Sequence, residues 1–198
     1  MRERDAAGPG RSPLGLLLAA AFVLAGLFTL GQGLWIPLKA AVAQVLLERA
    51  FAEAVVTGAP AKPWPWADTR AVARVSVPRL GQSAVVLSGA SGEALAFGPG
   101  WLHGTAEPGR PGVAVFAAHR DTHFRFLGGV QPGDLIVVQR ADGASASFRA
   151  GAGRVARWNA SGIDGLGGRP RLALVTCWPL DAKRRGPWRY ILEAELAA

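Results

Sequence analysis

The organisation of the chain follows from residues 172–178, which read LALVTCW. The first residues of this stretch are apolar and favour β-structure, so they predict a buried strand that ends where Pro179 follows. Cys177 is the only cysteine in the chain, which excludes an internal disulfide. A lone thiol at the end of a buried strand is either a small apolar side chain of the core or a nucleophile. The second interpretation requires a histidine elsewhere in the chain.

The composition limits the chain to one ordinary domain plus an accessory segment, because it has 198 residues. Its 26 glycines and 14 prolines favour many turns over long helices. The formal net charge is +8, but the arginines are scattered and no predicted helix has a basic face, which argues against a nucleic-acid partner. A basic domain near anionic lipid or an acidic envelope polymer accounts better for this charge.

The amino-terminal segment contains no charged residue between Arg11 and Lys39. Residues 14–36 are therefore predicted to form a transmembrane helix, because about 20 helical residues cross the apolar core of a bilayer. The arginines within residues 1–13 predict that this end is cytoplasmic. A cleavable signal peptide is the alternative, since residues 41–43 read AVA, although they lie far beyond the apolar run. Both interpretations export the remainder of the chain.

Residues 37–69 are predicted to form a helical stalk and then a linker rich in proline and tryptophan. The helical composition continues to Val56, and the prolines within residues 58–68 then forbid a helix and favour extended backbone. Trp64 and Trp66 alternate with these prolines. They predict either that the linker docks on the following domain, which we favour, or that it lies at a membrane interface.

Residues 70–198 show a β pattern instead of a helical one. Short apolar or alternating runs recur with turn signals between them, among them Asp142-Gly143, which marks a hairpin. The pattern predicts a mainly β domain, a closed eight-stranded β-barrel with short helices, preceded by the transmembrane helix. The predicted strands cover residues 72–77, 82–88, 113–118, 135–140, 145–150, 153–159, 171–177 and 188–196.

Two of the three histidines, His119 and His123, follow the predicted strand at residues 113–118. His119 and Cys177 each lie at or just past the end of a predicted strand, so parallel neighbouring strands would bring them to one edge of the barrel. An imidazole at that edge could deprotonate the thiol and later protonate a leaving amine. The alternative is that His119 only caps the loop and that His123 lies on the surface.

Arg189 begins the last predicted strand, on the face opposite the bulky core side chains. Its guanidinium is always charged and could hold a peptide carbonyl or the oxyanion that acyl transfer generates. Pairing with Asp181 or Glu193 is the structural alternative. The His-x3-His spacing around Asp121 offers no clear third metal ligand, and the sequence has no phosphate-binding glycine loop. We therefore expect neither a metal nor a cofactor.

These residues together give the chain a resemblance to the sortase family of membrane-anchored cysteine transpeptidases. Residues 115–122, VFAAHRDT, resemble the strand-then-His motif of the family, and residues 174–177, LVTC, resemble its Thr-Cys motif at the end of a strand. Arg189 matches the catalytic arginine of the family. The motifs GPGW at 98–101 and GTAEPG at 104–109 resemble the loop that leads into the His strand.

The chain also departs from the family pattern. Ala118 lies where the family often has Gly, and Leu174 lies where it often has Thr. Three further basic residues at positions 183–185 lie close to Arg189. We prefer Arg189 as the catalytic arginine because it begins a predicted strand, whereas the other three lie in a loop.

The resemblance implies a two-step acyl transfer. Cys177 would attack the carbonyl between Thr and Gly of an LPxTG-like sorting signal, and an amine or water would resolve the thioacyl intermediate. His119 would be the general acid and base, and Arg189 would position the substrate and stabilise the oxyanion. The substrate-binding residues would be Ala118, Thr176 and Trp178.

The resemblance further implies partners and a location. The partners would be an exported protein with a C-terminal LPxTG-like sorting signal and an amine acceptor in the envelope. The anchor, the Ala/Leu-rich helix and residues 62–68 are most similar to the sortase class of Gram-negative bacteria (class GN), which implies a single-pass inner-membrane protein with a periplasmic catalytic domain.

Two other functions stay open at this stage. One is another envelope cysteine acyltransferase such as an L,D-transpeptidase, although the chain lacks its His-Gly motif and its approach to the nucleophile. The other is a non-catalytic, anchored β-barrel that binds a partner, for which Cys177 would be inert and buried.

Overall fold

The computed structural model describes residues 13–164, 168–182, 184 and 186–197. The predicted cytoplasmic segment before Pro13 lies outside this part of the chain, and so do Lys183 and Arg185. The chain divides into two compact units, Met1–Val42 and Ala43–Ala198. A long helix, α1 (Pro13–Thr57), begins in the first unit and ends in the second.

In the first unit, α1 carries large apolar side chains that are exposed in the described range from Leu14 to Val42. The helix has the length and composition of a membrane-spanning segment. It continues past residue 36, where the predicted transmembrane segment ends, through the predicted helical stalk, and Pro37 lies inside it. A contiguous apolar surface of this size is typical of a segment that contacts a membrane or another protein.

The second unit is a closed barrel of eight strands, which confirms the predicted fold class. The strands are β1 Ala71–Val77, β2 Gln82–Ser88, β3 Gly100–Trp101, β4 Val113–Ala117, β5 Leu135–Arg140, β6 Ser145–Arg157, β7 Arg171–Cys177 and β8 Trp188–Leu196. Their order around the barrel is β1-β2-β3-β4-β7-β8-β6-β5. A short helix, α2 (Gly92–Phe97), and 3₁₀ turns at Pro78–Leu80 and Arg125–Gly129 complete the unit.

Two strands differ from the prediction. The predicted strands 145–150 and 153–159 form the single strand β6, whose register with β8 shifts between Ala150 and Gly153. A Cβ added at Gly153 would lie 1.9 Å from the hydroxyl of Tyr190, so this glycine makes room for a β8 side chain rather than marking a turn. The two-residue strand β3 was not predicted, and it is placed by parallel pairing with β2 and antiparallel pairing with β4.

The last part of α1 and the linker both pack on the barrel. From Ala43 onward the predicted stalk belongs to the barrel unit, where its buried face contacts β1 and β2. Trp64 of the linker meets Phe97 of α2 edge to face, with ring centroids 5.0 Å apart, as the docking interpretation requires. Trp66 is 80% exposed and does not dock. The buried residues at the α1 contact are Leu47, Ala50, Phe51, Ala71, Val85 and Leu87.

Strand β7 has two different faces, because side chains alternate along a strand. Leu172 and Leu174 face the barrel core, whereas Ala173, Val175 and Cys177 lie on the outer face. The strand pairs in parallel with β4 and antiparallel with β8. The carboxyl ends of β4 and β7 and the start of β8 therefore meet at one edge of the barrel.

Candidate active site

Cys177 is the last residue of β7, and it is partly exposed. Arg189, the second residue of β8, is its direct partner in the antiparallel β7–β8 ladder. Side chains directly opposite each other in such a ladder project from the same face, with Cβ atoms about 4.5–5.5 Å apart. The predicted nucleophile and the predicted cation therefore lie side by side.

His119 reaches the same edge because β4 and β7 run parallel. Ala117, at the end of β4, is level with Val175 of β7, and the amide of Ala118 donates to the Val175 carbonyl at 3.1 Å. His119 follows directly and is exposed. The parallel arrangement expected from the sequence is thus present, and it brings His119 to the end of the barrel at which Cys177 lies.

Two of the predicted substrate-binding residues, Ala118 and Thr176, are buried, with 6% and 2% of their surface exposed. The Thr176 hydroxyl donates to the Ala118 carbonyl at 2.7 Å. This bond joins the residue before His119 to the residue before Cys177. The geometry gives both residues a part in holding the two strands together, because neither side chain is presented to the outer face.

Trp178, the third predicted substrate-binding residue, is partly buried and stacks on Tyr190, with ring centroids 5.8 Å apart and an interplanar angle of 23°. Burial raises the pKa of Tyr190 above its ordinary value of 10. Trp178 directly follows Cys177, and Tyr190 directly follows Arg189. The aromatic pair therefore follows Cys177 and Arg189 along the chain, and Tyr190 packs against the barrel core.

The Arg189 guanidinium is bonded only within its own loop. Its Nη1 donates to the carbonyls of Gly186 at 3.0 Å and Trp188 at 2.9 Å. Among the described residues, Nε and Nη2 make no hydrogen bond and no carboxylate pairs with this side chain. Glu193, which the sequence offered as a partner, pairs instead with Arg154 at 2.6 Å. Two donor nitrogens of Arg189 are thus available for an oxygen that arrives at Cys177.

An apolar strip extends from Cys177 along the outer face of the barrel. Val175 lies two residues before the thiol, with Ala117 of β4 on one side and Ile191 of β8 on the other. Ile163, from the segment between β6 and β7, packs at the far end of this strip. An apolar strip that leads to a nucleophile suits an extended peptide with an aliphatic side chain.

The structural alternative placed His123 on the surface, but its side chain is partly buried. Burial lowers the pKa of His123 below its ordinary value of 6.5, a hydrogen bond to the Ala96 carbonyl opposes this, and the charge of His119 lowers it further. His123 is therefore neutral at pH 7 and fastens the turn after His119 to α2. Within the described residues, no group of three His, Cys, Asp or Glu side chains is arranged to hold a metal ion.

Arg120 is a residue of this region that sequence reasoning missed. Its side chain is only 8% exposed, and it donates to the Pro179 carbonyl at 3.0 Å and to the Arg184 carbonyl at 2.6 Å. Both acceptors lie in the loop that joins Cys177 to Arg189. No sequence signal marks this contact, because the acceptors are backbone atoms 59 and 64 residues away.

A family model of the sortase domain matches residues 75–197. Among similar solved structures, a sortase D5 transpeptidase from Clostridium perfringens has 23% identity and a TM-score of 0.57, with 65% of this chain and 79% of that chain covered. A pilus-related sortase C of group B Streptococcus has 25% identity and a TM-score of 0.56, with coverages of 64% and 67%. A mutant of sortase E from Streptomyces avermitilis has 27% identity and a TM-score of 0.53, with coverages of 64% and 87%. No curated protein is significantly similar to the chain in sequence.

Proposed function

Because the chain belongs to the sortase family and is therefore a cysteine transpeptidase, we propose that it cleaves an LPxTG-like sorting signal between Thr and Gly and transfers the acyl group to an amine, or to water. The observation that carries this proposal is the position of Cys177 between its ladder partner Arg189 and the parallel strand β4, which ends at Ala117, two residues before His119. A nucleophile, a proton carrier and a cation at one edge are the groups that acyl transfer requires.

The first step forms a thioester. His119 takes the proton from the Cys177 thiol, and the sulfur bonds to the carbonyl carbon of the threonine. The carbonyl oxygen becomes an oxyanion, to which Nε and Nη2 of Arg189 donate hydrogen bonds. The C–N bond to glycine then breaks, and the His119 imidazolium gives its proton to the leaving amine.

The second step repeats this path with a different amine. The amine, or water, attacks the thioester carbon, His119 accepts its proton, and the C–S bond breaks to release Cys177. The apolar strip at Val175 would receive an aliphatic side chain of the signal, and Trp178 would border the bound peptide. Ala118 and Thr176 would contribute by holding the strands that carry His119 and Cys177.

The experiment uses the full chain in detergent micelles and a fluorogenic LPxTG peptide with an added amine. We expect cleavage between Thr and Gly, an amine-linked product, and an acyl adduct on Cys177 that hydroxylamine releases. The Cys177→Ala variant should lose at least about 10⁴-fold in kcat, because removing a nucleophile costs this much or more.

Two results would contradict the proposal. One is cleavage that persists in a folded Cys177→Ala variant. The other is a wild-type protein that does not cleave the peptide but cross-links muropeptides, which would favour an L,D-transpeptidase.

The apolar helix supports a location. Its length and apolar composition are those of a single-pass membrane anchor. We propose that this anchor lies in the inner membrane, as in sortases of class GN, with a cytoplasmic amino terminus and a periplasmic barrel that meets exported proteins carrying a sorting signal. The net charge of +8 suits a domain close to anionic lipid. Protease added to spheroplasts should remove the barrel, and a barrel that resists until the membrane is broken would place it in the cytoplasm.

A further inference from the structure

The residues on both sides of His119 are bonded to residues on both sides of Cys177. Before His119, the Ala118 carbonyl accepts from the Thr176 hydroxyl at 2.7 Å. After His119, Arg120 donates to the Pro179 carbonyl at 3.0 Å. The histidine and the thiol therefore each lie at the centre of a short segment, and the two segments are fastened together at both ends.

The Arg120 contact is unusual for a charged side chain. The side chain is 8% exposed, and among the described residues no carboxylate pairs with it. Burial of a guanidinium without a counter-ion is costly, and the carbonyls of Pro179 and Arg184 compensate for only part of that cost. An apolar side chain of similar length, such as methionine, could fill this space but could not hold the two carbonyls.

The position of the two acceptors indicates what the arginine does. Pro179 and Arg184 both belong to the loop that runs from Cys177 to Arg189. Because Arg120 is the direct neighbour of His119, its side chain couples the backbone of the general base to the loop between the nucleophile and the cation. Two donors from one planar group fix orientation as well as distance.

We propose that Arg120 is a positioning residue, which holds His119 in register with Cys177 by bridging to the Pro179 and Arg184 carbonyls. This inference rests on the proposed function, because it assigns to His119 the role of proton carrier. It adds a fourth residue to the acyl-transfer site, one that acts through His119 and does not touch the substrate.

The first test measures peptide cleavage by Arg120→Met and Arg120→Lys in the full chain. For Arg120→Met we expect kcat to fall about 100-fold with KM changed less than about twofold, because a catalytic group displaced by about 1 Å costs this much. Arg120→Lys keeps one donor and should recover about a tenth of the wild-type kcat. Arg125→Met is the matched control, since Arg125 is exposed in the same segment, and it should keep wild-type kinetics.

The second test separates positioning from a general effect on the fold, and it needs no substrate. Alkylation of Cys177 by iodoacetamide should be slowed by His119→Ala and by Arg120→Met. If Arg120 acts through His119, Arg120→Met should change the rate by less than about twofold in the His119→Ala background. A purely structural residue would slow alkylation equally in both backgrounds.

Three results would overturn the inference: an unchanged kcat in Arg120→Met, an equal effect of that substitution with and without His119, or loss of the fold in both Arg120 variants. The last would show that Arg120 is needed for the barrel itself. A wild-type protein that alkylates but does not cleave the peptide would refute the proposed function instead, and the alkylation cycle would still decide on Arg120.

Discussion

The two residues proposed to act with Cys177, His119 and Arg189, are held in different ways. The segment of His119 is fastened to the Cys177 strand by long-range bonds, from Thr176 on one side and from Arg120 on the other. Arg189 is placed by strand register, and among the described residues its guanidinium donates only to the nearby carbonyls of Gly186 and Trp188. Backbone pairing holds both segments, but only the His119 segment is also held by long-range hydrogen bonds from side chains.

The difference matches the roles that we propose for the two groups. A proton carrier must keep its distance to the sulfur through both steps, since proton transfer requires hydrogen-bond reach. A guanidinium that stabilises an oxyanion needs donors that become engaged only when the negative charge develops. The unbonded Nε and Nη2 of Arg189 supply such donors.

The Arg189 half of this comparison predicts the largest effect. Arg189→Lys keeps the charge but loses the planar fork, so we expect kcat to fall about 10²–10³-fold, the usual cost of losing an oxyanion donor. Peptide cleavage kinetics measure it, and the melting temperature should stay close to that of the wild type because the side chain bonds only within its loop.

Arg149→Lys supplies a matched control, since Arg149 is exposed and its guanidinium also bonds to a backbone carbonyl, that of Gly133. It should leave kcat unchanged. If Arg189→Lys retains full activity, a positive charge alone suffices and the free donors have no role.

The His119 half predicts a smaller effect on activity and a larger one on stability. Thr176→Val conserves the shape but leaves the buried Ala118 carbonyl without its donor, which should lower the free energy of unfolding by about 1–3 kcal/mol. We expect kcat to fall by a smaller factor than in Arg189→Lys, because Arg120 still holds the other side of His119. Denaturant unfolding and cleavage kinetics measure the two quantities.

Thr122→Val changes an exposed threonine three residues after His119 and is the control. It should alter neither quantity. A Thr176→Val protein with wild-type stability would mean that the Ala118 carbonyl finds another donor, and the comparison would then rest on Arg120 alone.

The smallest effect concerns the turn after His119. The pKa of His123 is lowered by burial, so the unfolded chain binds more protons than the folded one as the pH falls through 6.5 toward the folded value. Stability is therefore present above 6.5 and is lost through this window. We expect the melting temperature to fall more steeply between pH 7 and pH 5 in the wild type than in His123→Gln, which keeps a donor for the Ala96 carbonyl.

The informative quantity in that experiment is the difference between the two curves, because carboxylates protonate in both proteins as the pH falls. Parallel curves would show that His123 charges as easily in the folded chain as in the unfolded one.

Sequence reasoning was successful for features that a repeated pattern encodes, and it failed for features that single tertiary contacts determine. Alternation and turn signals predicted the barrel, and the strand ends predicted that His119 and Cys177 share an edge. Strand β3 has only two residues and no pattern of its own, because its neighbours place it. The sequence predicts a break between residues 150 and 153, whereas β6 is continuous there, because the role of a glycine is ambiguous until the packing of Tyr190 on Gly153 is known.

The residues of the candidate site divide in the same way. The sequence offered Cys177, His119 and Arg189 because their residue types carry chemistry. It could not show whether the Thr176 hydroxyl joins two strands or contacts the substrate, since a hydroxyl can serve either purpose. It did not reveal Arg120, because the acceptors are backbone carbonyls whose position depends on the loop fold.

The parallel pairing of β4 and β7 also determines when the site comes into existence. The bond between Thr176 and Ala118 joins residues 58 positions apart in the chain, and pairings of this range are slow to form during folding. Arg189, by contrast, lies close to Cys177 in sequence and can meet it early through a local hairpin. With the roles proposed above, a partly folded chain carries the Cys177 thiol without its base until β4 and β7 pair.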